Sequence, residues 1–110
     1  MQIQINTDSN IECDERLSQQ VEAVVRDALH RFTAKITRVE VHLADENSNQ
    51  KFGAKDKRCL LEARPAGHQP IAVSHEAATT ELAVEGALER LTHLLDATLG
   101  RMGRNEGHHT

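Results

Sequence analysis

The run Arg38-Val39-Glu40-Val41-His42-Leu43 alternates polar and apolar residues without a break, the pattern of a strand with one buried and one wet face. Upstream, Leu17, Val21, Val24, Ala28 and Phe32 recur at three- and four-residue steps, the stripe of an amphipathic helix. Ahead of that helix, Met1-Gln2-Ile3-Gln4-Ile5 alternates again and predicts a first strand. Downstream, Cys59, Leu61 and Ala63 follow a polar loop, and Ile71 and Val73 follow Pro65-Ala66-Gly67-His68, which gives two more strands. Val84, Ala87, Leu88, Leu91, Leu95 and Thr98 then place a second long helix. The order β-α-β-β-β-α predicts an α+β two-layer sandwich, a four-stranded sheet with two helices packed on one face.

Length and composition bound this reading. A chain of 110 residues makes one hydrophobic core, so residues 1–100 are expected to form a single domain and residues 101–110, polar and carrying Gly103 and Gly107, a flexible tail. Apolar residues are 38% of the chain, enough for a two-layer core, and no run approaches the ~18 apolar residues of a spanning helix. The N-terminus opens directly into an alternating strand with no signal-peptide pattern, so a cytoplasmic location is expected. Cys13 and Cys59 read as reduced thiols, with Cys59 a small core residue. Asp14 is placed to cap the first helix, Ser74 or Thr79 the second, and Gly100 to stop it. The loop over residues 45–56 is too long for a tight hairpin and holds Phe52.

Charge is unevenly spread. The total is −4, which by itself argues against a nucleic-acid partner. Residues 26–64, however, carry nine Lys/Arg against six Asp/Glu, a local excess of basic groups at the end of the first helix, in the long loop and on the third strand. On the second helix, Glu85, Glu89 and Asp96 fall on one outward flank and Arg90 and Arg101 on the other, with His93 near the ridge between them.

Catalytic constellations are missing from the sequence. There is no phosphate-binding glycine loop, no serine elbow and no helical two-histidine motif. His30, His42, His68, His75 and His93 sit on different elements and His108-His109 in the tail, with no spacing that forces them to converge on a metal. The expectation is a non-enzyme with no catalytic residue, no metal site and no cofactor. Aromatic residues are 2% of the chain, so recognition by base stacking is not expected either.

Several stretches together resemble the ribosome hibernation promoting factor family, also called ribosome-associated inhibitors or ribosomal subunit interface proteins. They are the opening Met1-Gln2-Ile3-Gln4-Ile5, the helix entry Ile11-Glu12-Cys13-Asp14-Glu15-Arg16-Leu17, the central Ile36-Thr37-Arg38-Val39-Glu40-Val41-His42-Leu43, and the closing Ala83-Val84-Glu85-Gly86-Ala87-Leu88-Glu89-Arg90-Leu91. The resemblance covers residues 1–100. It implies a fold similar to double-stranded-RNA-binding domains. It also implies binding in the channel of the small ribosomal subunit during stress or stationary phase, with messenger and transfer RNA sites blocked. It further implies a short form, lacking the C-terminal domain by which long members dimerise ribosomes, and monomeric when free.

On this reading, the ribosomal RNA-binding residues are expected to be Arg26, Arg31, Lys35, Lys51, Lys55, Lys57, Arg58, Arg90 and Arg101, with no membrane and no small-molecule substrate as partner. The chain departs from the family in having fewer basic residues on both helices, where Asp96, Ala97 and Leu99 stand in the last one, and in lacking tyrosine. A second reading therefore stays open: a protein-binding regulator of the sigma-factor modulation type, on the same fold and with little RNA affinity.

Overall fold

The computed structural model describes residues 1–8, 15–45 and 57–100. Four strands and two helices run in the expected order: β1 (Gln2–Thr7), α1 (Glu15–Ala28), a short 3-10 turn (His30–Phe32), β2 (Ile36–Asp45), β3 (Lys57–Pro65), β4 (Ile71–Ala77), α2 (Thr80–Leu95) and a widened π turn (Asp96–Gly100). The sheet order is β1-β2-β3-β4. β1 lies parallel to β2, and the two following pairings are antiparallel. The parallel pair follows from connectivity, since α1 carries the chain back across the sheet between β1 and β2.

The alternation read from the sequence is the alternation the sheet uses. Ile3 pairs with Val39 and Ile5 with Val41; Val39 pairs with Ala63, Val41 with Leu61 and Leu43 with Cys59; Leu61 pairs with Val73. Directly paired residues point to the same face, so one apolar sheet surface lies beneath the helices. The other face carries Gln4, Arg38, Glu40, His42, Glu62 and Arg64. Val39, Val41, Cys59, Leu61 and Ala63 are fully buried. Burial pushes the Cys59 thiol up to about 12, because a thiolate has no water or cation to solvate it there.

The helices bury faces slightly rotated from the expected stripes. On α1 and the following turn the buried row is Val21, Val25, Leu29 and Phe32, while Val24 is 40% exposed and Leu17 and Ala28 are half-buried. Both rows have helical spacing. The chain leaves α-geometry at Ala28, and the tight turn that follows swings Phe32 inward, which selects the Val25–Leu29 row. On α2, Ala83, Val84, Ala87, Leu88, Leu91 and Leu95 are buried as expected, but Leu99 rather than Thr98 completes the row. The π turn puts more residues in each turn than an α-helix does and brings the residue four beyond Leu95 under the helix. Gly100 ends that turn.

Of the two candidate caps, Thr79 serves: its hydroxyl oxygen accepts from the Leu82 amide at 3.1 Å, whereas Ser74 lies within β4. The Asp14 cap, Cys13, Phe52, and the tail of residues 101–110 fall outside the described residues. Between β3 and β4, the His68 amide donates to the Pro65 carbonyl at 3.2 Å, and Gly67 takes φ +79, a left-handed conformation that glycine adopts without steric cost.

Candidate nucleic-acid interface

Among the described residues, the expected basic side chains are Arg26, Arg31, Lys35, Lys57, Arg58 and Arg90, and they differ in what surrounds them. Arg26 projects from α1 and pairs with Glu22 one turn earlier, Nη2 to Oε2 at 3.0 Å, with both side chains about half exposed. Arg31, on the 3-10 turn, lays its guanidinium over the Phe32 ring, 4.4 Å from the centroid. Both its terminal nitrogens donate to the Asp96 carboxylate, Nη2 to Oδ2 at 2.9 Å. This fork ties the end of α1 to the end of α2. The hydrogen bond from Arg31 holds the Asp96 carboxyl below its ordinary range, and the same bond raises Arg31. Lys57 opens β3 and donates to Asp45 Oδ2 at 3.2 Å. Three of the expected phosphate ligands are thus already engaged by carboxylates.

Lys35 is exposed, and its side chain makes no ion pair among the described residues. Lys51, Lys55 and Arg101 fall outside those residues.

Two expected residues do converge. Arg58 projects from β3 and Arg90 from α2, and with Ser74, His75 and Glu76 of β4 they line a shallow hollow of about 440 Å³. The strand register explains why: Arg58 sits opposite Glu76 and Cys59 opposite His75, while Arg90 is on the flank of α2 that overhangs β4. Two guanidinium groups, a hydroxyl and an imidazole outnumber the single Glu76 carboxylate around this open polar hollow and make a surface suited to phosphate oxygens, which arginine binds bidentately. Ser74 and His75 are absent from the sequence-based set. The signal that finds them is the hairpin centred on Gly67, because counting outward from that residue pairs 58 with 76 and 59 with 75.

The open face of the sheet carries further basic side chains, each beside an acid. Arg38 donates to Gln4 and lies 3.1 Å from Glu40, His42 lies 3.3 Å from the same carboxylate, and Arg64 is 3.6 Å from Glu62. No group of three or more His, Cys, Asp or Glu among the described residues is arranged to hold a metal ion. No described helix is long and apolar enough to cross a membrane.

Comparison with known proteins agrees with this architecture. Among solved structures the chain is similar to the N-terminal domain of Protein Y from Thermus thermophilus, with a TM-score of 0.71 and 19% identity over 89% of this chain and 99% of that one. It is also similar to a ribosomal subunit interface protein from Coxiella burnetii, with a TM-score of 0.69 and 17% identity over 91% of this chain and 99% of that one. Comparison with curated protein sequences finds no match. At these identities the structural likeness establishes the fold. The profile of the family described as sigma 54 modulation protein / S30EA ribosomal protein matches residues 3–102. The chain therefore belongs to that family, the ribosome hibernation and modulation factors, and is a non-catalytic member of it.

Proposed function

We propose that this protein binds the small ribosomal subunit in the cytoplasm under stress or in stationary phase and blocks the messenger and transfer RNA sites by occupying them. The observation that carries the reading is the convergence on one polar hollow of Arg90, which is exposed, and Arg58, which is half-buried opposite Glu76, with Lys35 as a second exposed cation. Binding of this kind needs no chemistry: guanidinium and ammonium groups displace condensed counterions from RNA phosphates, and bidentate arginines fix orientation. The free protein is a monomer without cofactor.

Co-sedimentation with purified small subunits at two salt concentrations tests the proposal. Each phosphate contact contributes about 0.7–0.9 to the slope of log K against log salt, so Arg58→Glu/Arg90→Glu is expected to reduce that slope by about two. Arg26→Glu, which removes a cation already paired with Glu22, is expected to change it little. Wild-type protein that never sediments with the subunit at low salt overturns the reading. In that event the protein-binding alternative stands, favoured by the carboxylates that already engage Arg26, Arg31 and Lys57.

A further inference from the structure

We propose that the groove between α1 and α2 is a docking site for a basic amphipathic helix of another protein. The two helices run side by side in the same direction: Gln20 in the first half of α1 donates to Glu81 near the start of α2 at 3.2 Å, and Arg31 meets Asp96 beyond their ends. Between them lies an apolar floor made by Leu17, Val21, Val24 and Ala28 from α1 with Val84 and Leu88 from α2. Part of this floor is uncovered. Val24 is 40% exposed, and the wider end of the groove is an open hollow of about 320 Å³.

The rim is acidic. Glu81, Glu85 and Glu89 stand one turn apart on α2, and Asp27 faces them from α1. None of these four carboxylates is ion-paired with a cation among the described residues. Like charges at i,i+4 repel one another, so the row lowers the stability of the helix that carries it unless a cation covers it.

An apolar floor between a row of three carboxylates on α2 and Asp27 on α1 selects its occupant by chemistry. RNA is repelled, since its phosphates would face the carboxylates. A helix with apolar residues at i, i+3/i+4 and i+7 and Lys or Arg on either side meets both features. From Leu17 to Ala28 the floor runs about 17 Å at 1.5 Å per residue, the length of a three-turn helix. This surface is separate from the Arg58–Arg90 hollow, so the inference does not depend on RNA binding.

The test is a titration of the ¹⁵N-labelled full chain, followed by amide shifts, with three probes. The first is a 14-residue synthetic helix with leucine at the i, i+3/i+4 and i+7 positions and lysine elsewhere. The second is the same peptide with glutamate for lysine, and the third is oligouridine. The lysine peptide is expected to shift the amides of Val24, Ala28, Val84 and Leu88. Glu85→Lys/Glu89→Lys, two exposed substitutions whose fold is checked by circular dichroism, is expected to weaken that peptide roughly tenfold and to favour the glutamate peptide instead. The inference is overturned if the lysine peptide leaves the groove amides unmoved or binds the double variant equally well. It is also overturned if oligouridine occupies the same amides, or if they shift with protein concentration alone, which would make a second copy the occupant.

Discussion

Gly86 offers a sharp test of how α2 sits on the sheet. It lies inside α2, and its φ is not positive, so no turn geometry demands glycine there. At an exposed helical site, Gly→Ala would stabilise by about 0.8–1 kcal/mol. Here an added Cβ would lie 2.0 Å from His75 Cδ2, 2.3 Å from Nε2 and 2.5 Å from Cγ. Carbon atoms in contact need about 3.5 Å, so the ring must retreat by roughly 1.5 Å. Cγ moves only if χ1 changes or if α2 lifts from β4, and neither is free; overpacking of this kind costs about 1–3 kcal/mol. The net expectation for Gly86→Ala is a loss of about 0–2 kcal/mol. With His75→Ala in the background, the same substitution is expected to stabilise by about 1 kcal/mol, a coupling of about 1–3 kcal/mol. Urea unfolding of the four proteins, compared at equal m, measures it. If Gly86→Ala stabilises both backgrounds equally, the glycine is not a notch for the imidazole and the α2–β4 packing is misassigned.

Three further outcomes are expected. Leu91→Ala, at a fully buried position between α2 and the sheet, should cost about 2–5 kcal/mol, read by the same denaturation. In a Cys13→Ser protein, the Cys59 thiol, raised to about 12 by burial, should stay unreactive toward a thiol reagent at pH 8 and react only on unfolding; rapid native-state labelling would contradict the burial. The Asp96 carboxyl, held low chiefly by its hydrogen bond from Arg31, should titrate below the ordinary aspartate value of about 3.9 in a carbon-detected NMR titration. Because the folded value is lowered, the tie stabilises the fold above the ordinary range and is lost as pH falls through the folded value. Arg31→Gln should return Asp96 toward its usual value, and an unchanged midpoint would remove the tie.

The fold was legible because its signals are local. Period-two alternation in β1, β2 and β3, and helical spacing in α1 and α2, each arise from one element meeting one apolar layer. What the sequence left undecided was phase. Val24 and Val25 are chemically identical, and both the Leu17–Val24–Ala28 row and the Val21–Val25–Leu29 row satisfy a helix. Only the turn that buries Phe32 chooses between them, and it does so through packing that spacing cannot express. The same holds at the end of α2, where the π turn substitutes Leu99 for Thr98. The row not chosen still has a physical consequence: it becomes the half-open floor between the helices.

The interface was less legible, for a reason that counting charges hides. What a cation can offer RNA depends on the groups its own chain places beside it. Arg26 loses its freedom within one helical turn, which i,i+4 spacing could have shown. Arg31 loses its freedom to Asp96, 65 positions away, which only the packing of α1 beside α2 reveals. Arg58 and Arg90, separated in sequence, meet because the Gly67 hairpin sets the register of β4 and α2 lies over its edge. The opposed flanks read on α2 acquire their meaning in the same way. Asp96 lies toward α1, Glu85 and Glu89 stand on the ridge between the α1 groove and the β4 side, and Arg90 overhangs β4. A net charge of −4 therefore does not decide the partner. The groove beside α1 is rimmed by carboxylates with no Lys or Arg in its lining, whereas the hollow at the sheet edge sets Arg58 and Arg90 around the single carboxylate of Glu76, and these two surfaces favour ligands of opposite charge.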